Sequence, residues 1–471
     1  MESTFSLDAV DRDRPVHMVG IGGAGMSAIA TVLLQMGFPV EGSDIKESLN
    51  IKRLRERGAV VGIGHRADNL GTASVVVRSS AISDRNPELG EAVRKHIQVI
   101  GRAEMLAAIM SRRKGIAVAG THGKTTTSSL VAQMLIGCGA DPSFLIGGEL
   151  NETGGNAHYG SGEYLVAEAD ESDGSLLYLR PEVVILTNVD ADHLDYFRDI
   201  EHTASVFLEF LQLLPPEGFA VVCGDDALAR GTGASFRDSG GTLLTYGSGR
   251  DNDYRITDVA VTQEGTVFEA FGADERLGRV RVGIPGLHNA YNAMAALAVG
   301  HRLGFPMEAV IEGIGRFQGV RRRFETVGEC RGIKVVDDYA HHPTEAKAVM
   351  ELAASLGASR VVVVFQPHRY TRTKMLADEF GSSFKGADLV VVTDIYGAGE
   401  EPEPGVTGRL VAESIAARLG ESRVSYEPSR AGLARSVVPL LREGDLVITM
   451  GAGDVTQCAR EILELLVEGG C

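Results

Sequence analysis

Gly115-Ile116-Ala117-Val118-Ala119-Gly120-Thr121-His122-Gly123-Lys124-Thr125-Thr126-Thr127-Ser128-Ser129-Leu130 starts as a short apolar run, breaks at Gly-Thr-His-Gly-Lys-Thr, and continues as an amphipathic pattern. A buried strand that enters such a loop and opens a helix is suited to holding a polyphosphate. Backbone N–H groups at the helix start face the anion, and the helix dipole favours negative charge there. In this reading Gly120 to Thr126 bind nucleotide phosphates, Lys124 reaches the terminal ones, and the Thr125 hydroxyl is a ligand for Mg²⁺. A full P-loop also has a glycine five positions before Gly123, where this chain carries Val118. The competing reading is a packing turn between strand and helix.

The surrounding 471 residues are enough for roughly three domains. The longest apolar runs, such as Val361 to Phe365, are strand-sized and far too short for a membrane span. Residues 1–14 mix acids and arginines without an apolar stretch, unlike a signal peptide. Five scattered cysteines with no Cys-x-x-Cys pair point to a reducing cytoplasm and away from structural zinc. A net charge of −17 disfavours non-specific nucleic-acid binding.

Upstream, Pro15 to Gly20 reads as a strand that runs into Gly20-Ile21-Gly22-Gly23-Ala24-Gly25, with a helix through Met36 and a second strand over Val40 to Asp44. This Gly-x-Gly-x-x-Gly turn is the phosphate turn of a Rossmann-like unit, with Glu41 or Asp44 as the acid for a ribose. A dinucleotide and a nucleotide-sugar diphosphate are both compatible with it. Downstream, Glu163 to Ala167 reads as a strand that delivers Glu168-Ala169-Asp170-Glu171-Ser172-Asp173, and Val183 to Thr187 delivers Asn188-Val189-Asp190-Ala191-Asp192-His193. Crowded carboxylates repel one another unless a cation neutralises them. Lys124-Thr125, Glu168 and His193 at three strand ends therefore read as one Mg²⁺–ATP site.

Residues 219–283 show shorter alternating segments and read as a β-rich excursion, after which Pro285 to Asn292 opens an apolar helix. Asn289 either caps that helix or presents its amide to a ligand. Arg321-Arg322-Arg323 reads either as a solvated linker or as a hinge that aims a guanidinium at a phosphate. Beyond it, Val-rich runs at Ile333 to Asp337, Val361 to Phe365, Leu389 to Thr393 and Leu446 to Met450 read as buried parallel strands. Two of them lead into Asp338-Tyr339-Ala340-His341-His342-Pro343 and Gln366-Pro367-His368-Arg369-Tyr370-Thr371-Arg372, whose arginines suit a carboxylate or phosphate. Joint metal ligation by His341 and His342 is disfavoured, because adjacent residues on a strand point opposite ways. The predicted class is α/β in three parts: a Rossmann-like domain over 1–104, a P-loop ATPase-like parallel sheet over 105–320, and a second Rossmann-like domain over 321–471.

Gly-Thr-His-Gly-Lys-Thr-Thr-Thr (120–127), Glu-Ala-Asp-Glu-Ser-Asp (168–173), Thr-Asn-Val-Asp-Ala-Asp-His (187–193) and His-Asn-Ala-Tyr-Asn (288–292) resemble Mur ligase motifs. So do Arg-Arg-Phe (322–324), Asp-Asp-Tyr-Ala-His-His-Pro-Thr-Glu (337–345) and Gln-Pro-His-Arg-Tyr-Thr-Arg-Thr (366–373), in matching order. The resemblance is to the branch that joins L-alanine to UDP-N-acetylmuramate with ATP and Mg²⁺ in peptidoglycan precursor synthesis. It implies that Gly20, Gly22, Gly23 and Gly25, with Ser79 and Ser80, hold the UDP diphosphate, and that Thr125, Glu168 and His193 hold magnesium. It further implies that Lys124, Asn289, Arg322 and Arg323 contact ATP, and that His368, Arg369 and Arg372 receive the amino acid. Most of the family carries a carbamylated lysine after the Asp-His motif, whereas residues 203–212 here contain no lysine, as in the alanine-adding branch. The alternatives are a ligase of the same family that recycles a murein tripeptide, an NAD-dependent oxidoreductase resting on Gly20 to Gly25 alone, and a nucleotide-gated binding protein with weak ATPase activity.

Overall fold

The chain, seen here as a computed structural model, is described over residues 5–150, 155–192 and 196–468. Among these residues the strands form three sheets. The first contains β1 (Val16–Val19), β2 (Val40–Asp44), β3 (Val60–Ile63), β4 (Val75–Arg78) and β5 (Val99–Gly101), all parallel in the order β3-β2-β1-β4-β5. The strand order reverses between β1 and β4. In an open α/β sheet that reversal opens a crevice beyond the strands' carboxyl ends, where ligands gather. The glycine turn that follows β1 and the Ser79–Ser80 loop that follows β4 flank this crevice.

The second sheet is built around β6 (Lys114–Ala119), β9 (Tyr164–Glu168), β10 (Val183–Leu186) and β11 (Phe219–Cys223), parallel neighbours in the order β11-β10-β6-β9. β7 (Ser143–Leu145) and β8 (Ala157–His158) extend it on one side. On the other lie β12 (Leu243–Gly247) and the antiparallel β13 (Tyr254–Thr262), β14 (Gly265–Gly272) and β15 (Glu275–Val282). The β-rich excursion expected from residue 219 onward thus starts later. β11, the helix Ala227–Asp238 and β12 are a further βαβ step, and the antiparallel part occupies only 254–282.

The third sheet runs β16 (Glu325–Cys330), β17 (Ile333–Asp338), β21 (Asp445–Met450), β18 (Arg360–Phe365), β19 (Leu389–Val392) and β20 (Val424–Tyr426), parallel except for the antiparallel edge strand β16. β10, β11 and β18 are almost wholly apolar and buried, as strands with both faces covered must be. One core joins the first sheet to one face of the second, through Met105 and Ile109 of the helix Arg102–Met110 and through Phe207 and Phe210. The other face of the second sheet packs under the helices Lys124–Gly137 and Leu287–Arg302. The third sheet has its own cores on both faces. No helix among the described residues is long and apolar enough to cross a membrane. Among the described residues Cys138, Cys223 and Cys458 are free thiols and Cys330 is disulfide-bonded.

Candidate functional site

β6 ends at Ala119 and the helix Lys124–Gly137 begins after four intervening residues, so Gly120 to Gly123 must reverse the chain within one tight loop. Two glycines allow it: Gly120 has φ +122° and Gly123 has φ +81°. A Cβ on Gly120 would lie 2.2 Å from Thr187 Oγ1, so that position excludes any side chain. The loop is held from β10's end. The Asn188 amide accepts from His122 N at 2.8 Å and donates to His122 O at 3.0 Å, and the Thr187 hydroxyl donates to the same carbonyl at 2.6 Å. The first N–H groups of the following helix have no intrahelical acceptor, which leaves them free for an anion.

Lys124 Nζ donates to Gly120 O (2.6 Å), Thr121 O (3.0 Å) and Glu171 Oε1 (2.8 Å). Burial pushes Glu171 up to about 7, with the charge of Asp170 adding to the effect and Lys124 opposing it. Thr125 Oγ1 donates to Glu168 Oε2 at 3.2 Å, and Glu168 Oε1 accepts from Ser128 Oγ (3.3 Å) and Gly147 N (2.5 Å). A hydroxyl and a carboxylate side by side at a helix start are the oxygen donors a hard divalent cation takes. Ser128 and Gly147 were not singled out in the sequence, because their approach to Glu168 depends on how the strands pack. His193 lies outside the described residues.

The third domain covers this loop. His342 caps the helix Pro343–Ser355, and that helix's first turn meets His122. His122 Nδ1 is 3.3 Å from Glu345 Oε1 and its Nε2 is 3.1 Å from Asp190 Oδ2. These two carboxylates outweigh the burial of the ring and raise its pKa to about 9. Thr344 Oγ1 donates to Asp190 Oδ2 at 2.6 Å, and His342 Nε2 lies 3.1 Å from Ala191 O. His341 and His342 diverge as expected, although from a loop and a cap position and not from a strand: His341 packs edge-on to His368 while His342 faces His122.

A cavity of about 870 Å³ opens beside His122 and Gly123, between the second and third domains, and Asn188, Tyr246, Tyr291 and Arg323 contribute to its walls. That volume suits a ligand of nucleotide size. Asn289 also reaches this cavity, but it sits inside the helix Leu287–Arg302 and does not cap it. Its amide donates to Pro285 O at 2.7 Å.

The three consecutive arginines part company. Arg321 pairs with Glu149 at 3.1 Å, Arg322 turns onto the carbonyls of Gly451 (2.6 Å) and Gly453 (3.1 Å), and Arg323 faces the cavity. Arg321 stays exposed, and of the pair expected at ATP Arg323 lines the cavity while Arg322 does not. Arg322 has φ +61° and Phe324 φ +51°, a left-handed kink that sends neighbouring side chains in different directions.

Of the expected amino-acid residues, Arg372 is buried and donates through Nη2 to Asp192 Oδ1 at 2.8 Å, across the boundary between the domains. Its Nη1 lies 3.2 Å from His368 Nδ1. Burial, aided by the charges of His341 and Arg372, pushes His368 down to about 3, so its ring is neutral at physiological pH. Arg369, at φ +70°, lies near Glu400.

In the first domain Gly20 has φ +80°, and a Cβ there would meet Ser79 at 3.2 Å, which places the two expected diphosphate loops side by side. Gly23 caps the helix Ala24–Gln35, whose first residues include Gly25. Gly22 N donates to Asp44 Oδ2 at 2.9 Å, so Asp44 braces the turn, whereas Glu41 is engaged by buried His17. Ser80 is exposed at the rim. Arg102 lies against Gly25 and pairs with Asp170 at 3.0 Å, linking this turn to the acids beside Lys124.

Three family models match the chain: "Mur ligase family, catalytic domain" over 15–114, "Mur ligase middle domain" over 118–300, and "Mur ligase, glutamate ligase domain" over 322–453. The UDP-N-acetylmuramate–L-alanine ligase of Syntrophotalea carbinolica is 48% identical over 453 residues, covering 96% of this chain and 98% of that protein. The crystal structure of the UDP-N-acetylmuramate–alanine ligase of Thermotoga maritima superposes with a TM-score of 0.83 at 28% identity, over 97% of this chain and 99% of that one. A murein peptide ligase from Psychrobacter arcticus gives a TM-score of 0.72 at 23% identity over 96% and 98% of the two chains, a likeness of fold.

Proposed function

The chain belongs to the Mur ligase family, and from that premise we propose that it joins L-alanine to the carboxylate of UDP-N-acetylmuramate at the expense of ATP, a step in making peptidoglycan precursor. The single observation that carries the reading is the juxtaposition of Lys124, Thr125 and Glu168 beside a cavity of nucleotide size. The 48% identity to an alanine-adding relative over nearly the whole chain supports the choice of substrates.

The chemistry requires what the site offers. A carboxylate is a poor electrophile, so an oxygen of the muramate carboxylate attacks the γ-phosphorus and ADP leaves. The neutral amine of alanine attacks the resulting acyl carbon, loses its proton, and inorganic phosphate departs. Negative charge builds on the transferring phosphoryl group, which calls for fixed positive groups around it. Lys124 supplies one when its ammonium turns from the loop carbonyls to the γ-phosphate, and Arg323 supplies another from the third domain. Thr125 and Glu168, with His193, are the residues that would hold Mg²⁺, which shields phosphate charge when bound. The Gly20–Gly25 turn and the Ser79–Ser80 loop hold the UDP diphosphate, and Arg372 takes the carboxylate of alanine, with His368 and Arg369 beside it. Three reactants must meet in a cleft that excludes water, which gives the covering domain its purpose.

Lys124→Ala tests the phosphate site. Release of phosphate in the presence of UDP-N-acetylmuramate, L-alanine, ATP and Mg²⁺ is expected to fall to background, and near-normal turnover would refute the assignment.

A further inference from the structure

The first turn of the helix Pro343–Ser355 carries an acid that the reaction as written leaves unused. Glu345, two residues after Pro343, is largely buried in the seam between the second and third domains. Its Oε1 lies 3.3 Å from His122 Nδ1 and 4.0 Å from Arg323 Nη1. Its Oε2 accepts from His341 N at 3.0 Å and lies 3.2 Å from His341 Nδ1. One carboxylate thus gathers the phosphate loop, the arginine of the cavity and the histidine that packs against His368.

His122 is the pivot on the other side. Its ring is held between Glu345 of the third domain and Asp190 of the second, while its backbone is clamped by Asn188. It stands two residues before Lys124 in the same loop, so any shift of its ring is felt where phosphate binds. An acid in the first turn of a helix ordinarily serves the helix dipole and the orphan N–H groups. That ordinary duty explains the contact with His341 N. It does not explain the approach to His122 and Arg323, which belong to other elements.

We propose that Glu345 is a positioning residue that makes docking of the third domain and assembly of the phosphate site a single event, by tying His122 of the loop to Arg323 of the cavity wall. This rests on the ligase reading above. With the domain docked, the loop is fixed and Arg323 faces the cavity. With it undocked, the loop loses its Glu345 anchor and Arg323 moves away with the third domain, so nucleotide hydrolysis outside the closed cleft is suppressed.

A double-mutant cycle over His122→Gln, Glu345→Gln and the pair tests this, with kcat and each KM measured separately and small-angle scattering recorded with and without ADP. Each single variant is expected to lower kcat by about tenfold or more with the KM for UDP-N-acetylmuramate unchanged. The double variant is expected to fall no further than the worse single, because both remove one link. Glu345→Gln is also expected to shift the scattering profile toward a more open molecule. Losses that multiply in the double variant, or an unchanged kcat in Glu345→Gln, would overturn the proposal. If Glu345→Gln lowers the melting temperature enough to blur the kinetics, Glu345→Asp replaces it. That variant keeps the charge and its service to the helix but retracts it from His122, so an undiminished kcat there overturns the proposal equally. Failure of the wild-type chain to add alanine would refute the ligase reading instead. The scattering comparison would still decide the docking role of Glu345.

Discussion

Arg322 spends its guanidinium on the carbonyls of Gly451 and Gly453 and stacks over Tyr339 at 4.8 Å, while Arg323, one residue on, lines the cavity beside His288 and Asp338. Charge at Arg323 is felt there: burial and then Arg323 lower His288 to about 4, and Arg323 opposes the burial that raises Asp338 to about 6. The two arginines should therefore separate on substitution. Arg322→Ala is expected to cost about 2 kcal/mol of stability, seen as a lowered melting temperature, with a much smaller effect on turnover per folded molecule. Arg323→Ala is expected to leave melting nearly unchanged and to lower kcat. An identical pair of phenotypes would show that the division of labour is wrong. The sequence displayed an arginine cluster at a domain boundary, and that much was legible. Which arginine faces the cavity was not, because the answer depends on left-handed backbone at Arg322 and Phe324 that no residue type there announces.

At the scale of elements, the strands and the phosphate turns were legible because burial on both faces leaves a near-continuous apolar run and a reversal needs glycine. β6, β10, β17, β18 and β21 fall where the Val- and Ala-rich runs lie. The helix Ala227–Asp238 was missed for the complementary reason: two glycines and several short polar residues blur its helical period. Close approach between helices is equally invisible in one sequence. The helix Lys124–Gly137 crosses Met307–Gly315 so tightly that a Cβ on Gly137 would lie 2.4 Å from the Gly313 Cα. Gly137→Ala is accordingly expected to destabilise the chain by about 1–3 kcal/mol through overpacking. The KM for ATP should hold, since the contact is at the far end of the helix from Lys124. A denaturant melt checks the first expectation and steady-state kinetics the second; a stabilised variant would contradict the packing read here.

For the whole molecule, the informative contacts join domains that the sequence presents separately. Arg102 with Asp170 links the first to the second, and Arg372 with Asp192, Thr344 with Asp190 and Glu345 with His122 link the second to the third. None could be paired from sequence, because each depends on docking between separately folded sheets. His122 gives this docking a pH signature. Its folded pKa of about 9 lies above the 6.5 of a free imidazole, so its contribution is complete below pH 6.5 and is lost as pH rises through about 9. Melting temperature is expected to decline over that window, and His122→Gln should flatten the decline. A wild-type profile already flat from 6.5 to 9 would contradict the charged state of this residue.

As proposed above, three domains bring ATP, a UDP-sugar carboxylate and alanine to one cleft. The most direct test is the mass of the product after incubation with UDP-N-acetylmuramate, ATP, Mg²⁺ and a mixture of amino acids and the murein tripeptide. The result predicted here is a nucleotide-sugar heavier by one alanine residue, formed with one ADP and one phosphate per product. A tripeptide adduct, or ATP hydrolysis with the UDP-sugar unchanged, would contradict it.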